Sequence, residues 1–541
     1  MPAAVASGRP YRGSGRKGVK IPPGAGRTPV RPKNRGTDAS IGGGPLQRGV
    51  FLCPRQAGHP YRVGRWNMRR LVPAWAVLSL AAVVLLSCEA VPLGGRGSFD
   101  PAASRLLLYI HSTSPSPPEV AFTIESIEIE SADGEWGTLV DRTIDVDSRV
   151  LAAGQRFLGE SFVRPGAYKA VRLVVSRAST GGEGERVSLA LPEPEGTVVF
   201  TRQLKLERGE STVLSFAWDA DRSIEKGYRF SPDIAMEVQV HSARGLLLFV
   251  SNSGSNYLSI IDRSLERVVG AVTVGSRPMG MALNETANRI YVVGRGSGEI
   301  TVVDAVHLQV LDRIVLTTGV DPTDIAFMPE REGAADGKLY IVNRISNDVT
   351  VVSTTARRVI GVIPVGMRPA FIASDPERRE LYVVNERSND LHIISAVDDR
   401  VVAVVPVDQN PGGVAVKDGS VYVFCEGANR INIVSPSQRK VVSTFTVVDP
   451  PRRGAVGFGG RLFVANTAVD TLTFFNTLNV PTRTIPAGPG PIAFAGDERR
   501  NRLYISNFNG DTVSVADPFA ERLLKELRVG ENPYGLLILD R

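Results

Sequence analysis

A repeated pattern of short apolar strands fills the second half of the chain. Between Gly245 and Arg541, apolar runs alternate with polar turns, and the pattern returns every 38–47 residues. Seven copies align on a proline followed four positions later by a small or apolar residue: Pro278 to Ala282, Pro322 to Ala326, Pro369 to Ala373, Pro411 to Ala415, Pro451 to Ala455, Pro489 to Ala493 and Pro533 to Leu537. A repeat of this length that holds three or four strands is typical of propeller blades. The pattern therefore predicts a seven-bladed β-propeller.

Two segments compete to complete the first blade of such a ring. We interpret Pro533–Leu539 as the returning strand, because the other strands of that blade begin at Leu246. Closure of this kind leaves no free sheet edge. The segment Pro232–Val238 carries a similar Pro-x-x-Ala pattern, so both alternatives stay open at this point.

The segment from Ser104 to Val240 is also rich in short strands. Apolar runs at 106–110, 122–129, 170–175 and 212–218 are separated by Gly, Pro, Asp and Ser, without a helical period of comparable length. Several antiparallel candidates favour a β-sandwich. The predicted fold class is all-β, with an N-terminal β-sandwich at 104–240 followed by the propeller at 245–541.

The start of the chain follows a different pattern. Residues 1–67 are rich in Gly and Pro and lack a sustained apolar period, so we expect a disordered basic leader. Residues 68–87 join Met68-Arg69-Arg70 to an uncharged run and small residues, as in a secretory signal. A signal beginning at Met68 suggests an upstream start codon, so that residues 1–67 are expected to be absent from the working protein. Residues 88–103 form a linker.

An uncleaved anchor helix is the alternative for residues 71–86. This run has sixteen residues and contains Pro73, and both features count against a stable membrane span. We therefore expect a cleaved signal.

Charge and cysteine content narrow the function classes. The formal charge is +7, but residues 1–87 hold fifteen Lys and Arg against one acid, which leaves 48 basic and 55 acidic residues from Cys88 onward. The resulting net charge of about −7 opposes binding to nucleic acid. Cys53, Cys88 and Cys425 are the three cysteines, so no disulfide framework is expected in the folded part.

Three resemblances extend this picture. The tetrapeptide Leu85-Leu86-Ser87-Cys88 resembles the bacterial lipobox, which implies that Cys88 is lipidated and anchors the mature chain in the cell envelope, facing the periplasm or at the outer membrane. Tyr340-Ile-Val-Asn343 and Tyr382-Val-Val-Asn385 resemble the motif of the YVTN family of β-propellers. The order of Trp136, Pro165-Gly-Ala-Tyr168, Asp219 and Pro232 is similar to that of a lipoprotein-borne sandwich family of unknown function.

Alignment of the repeats gives structural interpretations for several reactive residues. His392 shares its position with Ser259, Thr301, Thr350, Asn432, Thr473 and Ser514, which predicts a water-facing strand position. Asp262, Asp304 and Asp517 share theirs with Ser353, Ser395, Ser435 and Asn476, all able to bond the following turn. Asn252, Asn343, Asn385, Asn466 and Asn507 occupy a predicted turn with Gly294 and Cys425, and Cys425 is predicted to be buried.

The sequence contains none of the familiar metal- or cofactor-binding motifs. The five histidines are scattered, no Cys-x-x-Cys-His is present, and neither a Gly-x-Ser-x-Gly elbow nor a phosphate-binding loop occurs. We therefore predict no metal and no cofactor.

The end of the propeller where the innermost strands begin is the predicted ligand site, because loops around the axis are where such folds meet ligands. The candidate binding residues are Arg277, Asp321, Arg368, Asn410, Arg452, Arg453 and Asn532. Their guanidinium groups predict a small anionic ligand, with a mixed, solvated rim as the alternative. An envelope protein or a glycan is the alternative partner to a small anionic ligand.

The sequence thus favours an envelope-anchored lipoprotein whose propeller is a ligand- or protein-binding module or scaffold. The alternative is a propeller hydrolase or lyase that opens a lactone or acts on a sugar acid at the same end by general base chemistry. No residue-by-residue match to such an enzyme site is present, so no catalytic residue is assigned.

Overall fold

The computed structural model describes residues 103–114, 116–152, 154–181, 186–192, 196–239, 245–417 and 419–539. The predicted leader, the signal segment, Cys88 and the linker up to residue 102 lie outside the described residues. Almost all of the regular structure is β-strand, with one short α-helix, α1 (Ser148–Ala152), in the described ranges. This confirms the predicted all-β fold class. No helix in the described part of the chain is long and apolar enough to cross a bilayer.

The N-terminal domain is a β-sandwich. Its strands are β1 (Ser104–Ser112), β2 (Val120–Ser131), β3 (Trp136–Asp147), β4 (Gln155–Val163), β5 (Gly166–Thr180), β6 (Val187–Ser188), β7 (Thr197–Leu206), β8 (Ser211–Asp219), β9 (Ile224–Glu225), β10 (Arg229–Phe230) and β11 (Asp233–Val238). One sheet has the order β11-β8-β1-β4, and the other joins β3, β2, β5 and β6, with β7 also paired to β5. Phe122 and Trp218 pack edge to face in the core between the sheets, and the Trp218 indole donates to Ser223 at 2.9 Å.

Seven four-stranded sheets follow. Blade 1 starts with β12 (Leu247–Asn252), β13 (Tyr257–Asp262) and β14 (Arg267–Thr273); blade 2 has β15 (Pro278–Asn284), β16 (Arg289–Gly294), β17 (Glu299–Asp304) and β18 (Gln309–Val315); blade 3 has β19 (Pro322–Pro329), β20 (Gly337–Asn343), β21 (Asp348–Ser353) and β22 (Arg358–Pro364); blade 4 has β23 (Pro369–Asp375), β24 (Glu380–Asn385), β25 (Asp390–Ser395) and β26 (Arg400–Pro406). Blade 5 has β27 (Pro411–Lys417), β28 (Ser420–Cys425), β29 (Arg430–Ser435) and β30 (Lys440–Thr446); blade 6 has β31 (Arg453–Gly457), β32 (Arg461–Asn466), β33 (Thr471–Phe475) and β34 (Pro481–Pro486); blade 7 has β35 (Pro491–Asp497), β36 (Arg502–Asn507), β37 (Thr512–Asp517) and β38 (Arg522–Arg528); β39 (Pro533–Leu539) is the last strand. In blades 2–7 the four strands pair in chain order, with the innermost strand first.

The last strand closes the ring. β39 pairs with β12, with Ile538 opposite Leu248, whereas β11 pairs with β8 inside the sandwich. A buried ion pair between Arg263 of blade 1 and Asp497 of blade 7 accompanies this closure, and Arg263 Nη2 also donates to the Leu539 carbonyl at 3.2 Å. The first and last blades and the closing strand are therefore tied together by one guanidinium group.

Blade 7 begins two residues later than the sequence pattern predicts. Pro491, not Pro489, lies opposite Asn507, as Pro369 lies opposite Asn385 in blade 4. The small residue of the repeat is accordingly Ala495, which faces Tyr504. Two prolines two residues apart in this segment fit the spacing almost equally well, and only strand pairing selects the second.

A buried polar pair recurs inside the blades and corrects two predictions. The asparagine that ends a second strand donates through Nδ2 to a hydroxyl seven residues later at 2.8–2.9 Å: Asn252 to Ser259, Asn343 to Thr350, Asn466 to Thr473 and Asn507 to Ser514. These side chains are buried, so the first set is not part of a turn and the second does not face water. Neighbouring blades cover both faces of the middle strands, and buried polar groups there must bond to one another.

The turn residues behave as predicted. Asp262 accepts from the backbone N–H groups of Ser264 and Leu265 at 2.7 and 3.0 Å, and Ser353 accepts from Ala356 at 3.1 Å. These side chains stabilise turns and are not a catalytic triad.

The sandwich packs on the outer edge of blade 1. Leu107 and Tyr109 of β1 point away from the sandwich core and join a cluster with Val268 and Ala271 of β14, so both faces of β1 are buried. The Gln239 side chain accepts from Ala271 N and donates to Ala271 O, both at 2.9 Å. The uninterrupted apolar run at 106–110 thus reflects burial on two faces, and the sandwich covers an otherwise open strand edge.

A histidine in this contact makes stability depend on pH. His111 bonds to Ser215 at 3.1 Å and contacts Arg267, and burial, together with the Arg267 charge, lowers the pKa of His111 to about 4. The unfolded chain binds the proton near the ordinary pKa of about 6.5, so stability falls as the pH drops from 6.5 toward 4.

We expect His111 to account for a loss of about 2 kcal/mol in the free energy of unfolding between pH 7 and pH 5. Urea unfolding of the wild type and of His111→Gln at the two pH values measures this difference. The variant is expected to lose correspondingly less. An equal loss in both proteins would contradict the assignment.

Candidate functional site

Five of the predicted site residues share one backbone arrangement. Arg277, Asp321, Arg368, Asn410 and Asn532 each precede the proline that begins an innermost strand, and each has a φ between 51° and 67°. Their carbonyl groups accept bonds of 2.9–3.0 Å from the loop between the second and third strands of the same blade. These two sets of loops therefore lie together at one end of the propeller, which we call the mouth. Asn and Asp favour this left-handed conformation, which explains part of the polar pattern by backbone geometry alone.

A network of arginines and glutamates occupies the mouth on blades 3–6. Glu386, whose side chain is 5% exposed, lies 2.5 Å from Arg344, 3.5 Å from Arg368 and 2.7 Å from Arg452. Arg452 also contacts Glu426 at 3.0 Å. Burial acts against the charged form of Arg452, but both glutamates outweigh it, so the pKa of Arg452 is raised. These guanidinium groups already have carboxylate partners.

Of the remaining candidates at the mouth, Asn410 joins this network through Glu426, and the others have separate surroundings. Asp321 pairs with Arg295, with one N–O distance of 2.9 Å, and Asn532 donates to the Phe508 carbonyl at 3.0 Å. Asn410 donates to Glu426 at 3.2 Å. Arg277 is exposed, and no ion pair to it occurs within the described ranges. The structure therefore does not gather the predicted arginines into one anion site.

Arg453 differs from the others because it lies below the mouth, in the channel between the innermost strands. Its guanidinium carbon is 4.2 Å from the centre of the Phe371 ring, and its buried Nη1 has no hydrogen-bond partner among the described residues. Phe371 in turn stacks with Tyr534, with 6.3 Å between ring centres and 9° between ring planes. The aromatic pair holds the guanidinium plane and leaves one of its donors open.

A cavity of about 140 Å³ adjoins this arginine. Arg453 and Asp324 are its charged lining residues, and backbone and small side chains supply much of the remainder, including Gly280, Ala493 and Gly535. Asp324 is 5% exposed and accepts from Ile372 N at 3.2 Å. Burial raises the pKa of Asp324, although Arg453 and nearby backbone N–H groups oppose the shift. A carboxyl group shifted in this direction more readily keeps its proton.

The channel residues share a repeat position that the sequence reasoning missed. With Pro491 as the proline of blade 7, the second residue after the proline of each repeat is Gly280, Asp324, Phe371, Gly413, Arg453 and Ala493 in blades 2 to 7 and Gly535 in blade 1. Four of these residues are small, which creates space on the axis, and three are large and fill part of it. Comparing the residues at this one position across the seven repeats would have identified Asp324 and Phe371 in the sequence.

The other reactive side chains have structural surroundings. His392 Nε2 lies 3.3 Å from Asp390, and burial lowers the pKa of His392 despite that carboxylate. Cys425 is buried as predicted, and burial raises the pKa of its thiol to about 12, far from the value of a reactive thiolate. Within the described ranges, no group of three or more His, Cys, Asp and Glu is placed to hold a metal ion.

Comparisons with known proteins find one family match and a related β-propeller protein. Residues 114–232 match the family described as Domain of unknown function (DUF4382). Over 133 residues, the chain is 32% identical to the seven-bladed beta-propeller protein Rv1057 of Mycobacterium tuberculosis, which covers 24% of this chain and 32% of that protein. The chain thus spans about a third of that relative's length.

Two solved structures are similar at low sequence identity. A functionally unknown protein from Desulfotomaculum acetoxidans is 13% identical, with a TM-score of 0.48. The match covers 54% of this chain and 99% of that protein's chain. Hydrazine synthase of Kuenenia stuttgartiensis is 15% identical with a TM-score of 0.43, covering 49% of this chain and 95% of its own.

Proposed function

We propose that the protein is an envelope-anchored binding module whose axial cavity takes a small carboxylate. The observation that carries the proposal is Nη1 of Arg453, a buried cationic donor beside a polar cavity that finds no hydrogen-bond partner in the part of the chain that the structure describes. A buried donor left unbonded is costly, and a carboxylate is the group that a guanidinium binds best. Anchoring through Cys88 is the part of the proposal that rests on the lipobox resemblance.

The cavity limits the size and chemistry of the ligand. A cavity of about 150 Å³ accommodates benzene, so the space of about 140 Å³ here suits a molecule of about six non-hydrogen atoms. Arg453 would bind the carboxylate, and Asp324 on the neighbouring wall would exchange a hydrogen bond with a hydroxyl group. A short hydroxy acid meets both requirements. L-lactate has this size and both groups, and it serves as the probe.

Replacing Arg453 with methionine is expected to weaken L-lactate binding by about 100-fold, because the ligand loses charge-assisted hydrogen bonds in a buried site. Calorimetric titration of the full chain measures the change. Arg453→Lys keeps the charge without the planar pair of donors and is expected to retain part of the affinity. Thermal unfolding of each variant establishes that the propeller is intact.

The matched control is Arg277→Met, which removes an exposed arginine from the mouth and is expected to leave lactate binding unchanged. The diol 1,2-propanediol lacks the carboxylate and is expected not to bind. Undetectable lactate binding by the folded wild type, or equal affinity in Arg453→Met, would overturn the proposal. Turnover of a sugar lactone by the wild type would favour the enzymatic alternative instead.

A further inference from the structure

Three exposed apolar side chains lie in adjacent mouth loops of blades 3 and 4. Val320, Ile345 and Met367 are 54%, 65% and 53% exposed. Ile345 N donates to the Val320 carbonyl at 3.1 Å, which places these two residues side by side. Glu386 links their loops to the Met367 turn by contacting Arg344 and Arg368, the chain neighbours of Ile345 and Met367. We call these three residues the mouth patch.

The opposite end of the propeller also has exposed apolar residues, most of them in separate hairpins. Leu265, Val397 and Phe519 lie there in hairpins of blades 1, 4 and 7, and Leu478 and Val480 share the hairpin of blade 6. Single exposed apolar side chains are ordinary on protein surfaces, whereas neighbouring ones mark a contact surface. The mouth patch is therefore a candidate contact surface.

The accessible charge beside the mouth patch is basic. Arg368 and Arg387 are exposed and adjoin the Met367 turn, and Arg387 N donates to the Met367 carbonyl at 3.1 Å. The nearest acidic side chains contribute little accessible negative charge, because the Glu386 side chain is almost fully buried and Asp321 is paired with Arg295. An apolar patch with exposed arginines matches a surface that offers both acyl chains and anionic groups.

The chain enters the described structure beside the same end of the propeller. Ala103 borders a groove together with Asn256, Ser276 and Ser297, which belong to mouth loops of blades 1 and 2. β1 then runs away from the mouth, since Arg105 contacts Ser255 and the sixth residue further on, His111, contacts Arg267 at the far end of β14. Cys88 precedes Ala103 by fifteen residues, a reach of at most about 50 Å.

We propose that the mouth patch inserts into the surface of the bilayer that holds the Cys88 lipid, so that the mouth faces that bilayer. The inference rests on the anchoring proposed above but not on the ligand. The sandwich packs on blade 1, and the mouth patch lies two to three blades away around the ring, on blades 3 and 4.

A tryptophan reporter tests the inference. Ile345→Trp and, as a matched control at the other end of blade 4, Val397→Trp are prepared as the full lipidated chain. Each is reconstituted in vesicles of phosphatidylethanolamine and phosphatidylglycerol with brominated acyl chains, which quench tryptophan on contact. The fluorescence of Ile345→Trp is expected to fall at least twofold more than that of Val397→Trp. Equal quenching of the two would overturn the inference.

Two further measurements distinguish a failure of the membrane contact from a failure of lipid anchoring or of ligand binding. Mass spectrometry of the N-terminal peptide reports whether Cys88 carries lipid, and L-lactate titration reports the ligand site. If the Ile345→Trp variant is lipidated and its reporter indole is not quenched, the membrane-facing mouth alone is refuted. Protection of that indole by a co-purifying envelope protein, without lipid quenching, assigns the patch to a protein partner and likewise overturns the inference.

Discussion

Replacing Arg263 with methionine is expected to lower the free energy of unfolding by about 3–5 kcal/mol. Arg263 is 1% exposed and forms the buried ion pair with Asp497 that joins the first and last blades. Without the guanidinium group, the buried Asp497 carboxylate keeps the hydrogen bond from the Arg500 backbone N–H but loses the opposite charge of Arg263. The Leu539 carbonyl of the closing strand loses a donor as well. Urea unfolding of the full chain measures the loss.

Two variants show whether the lost charge causes the effect. The double variant Arg263→Met/Asp497→Leu removes both charges and is expected to be more stable than Arg263→Met, because an apolar pair replaces an isolated buried carboxylate. Arg313→Met breaks an ion pair with Glu299 in which the arginine is exposed, and it is expected to cost less than about 1 kcal/mol. If Arg263→Met is as mild as Arg313→Met, the pair does not secure the ring closure.

Substituting alanine for Gly454 is expected to destabilise the protein by about 1–3 kcal/mol, although alanine ordinarily suits a strand better than glycine. A Cβ atom at this position would overlap the ring of Phe424 in the neighbouring blade and would lie 2.8 Å from the Phe463 carbonyl. Phe424 is fully buried and has no room to move without disturbing its cluster. Urea unfolding again measures the change.

Gly457 on the same strand provides the control. A Cβ atom there would meet only the Glu498 carboxylate oxygen at 3.3 Å, and a shift of a few tenths of an ångström relieves this contact while the oxygen keeps its hydrogen bond from Phe458 N. Gly457→Ala is therefore expected to change stability by less than about 1 kcal/mol. In the Gly454→Ala/Phe424→Leu double variant, the smaller neighbour is expected to relieve part of the overlap, so the two losses should not add. Additive losses would exclude this steric explanation.

The proposed ligand site was only partly predictable from the sequence. The sequence placed Arg453 at the axis, because the loops before the innermost strands of a propeller converge there. It could not distinguish Arg453 from Arg452, since adjacent residues of a strand point in opposite directions and the start of the strand decides which one faces the channel. In the structure Arg452 pairs with Glu386 and Glu426, and Arg453 meets Phe371.

By itself the sequence determined the fold class, the number of blades and the turn chemistry, because each depends on local periodicity or on a side chain and its nearest backbone. It also correctly treated Asp262 and its equivalents as turn residues. The tertiary structure decided the start of blade 7, the burial of the Asn343 and Thr350 pair, and the identity of the closing strand. These features depend on contacts between segments far apart in the chain, and the hydrophobic pattern of a strand does not specify its partner.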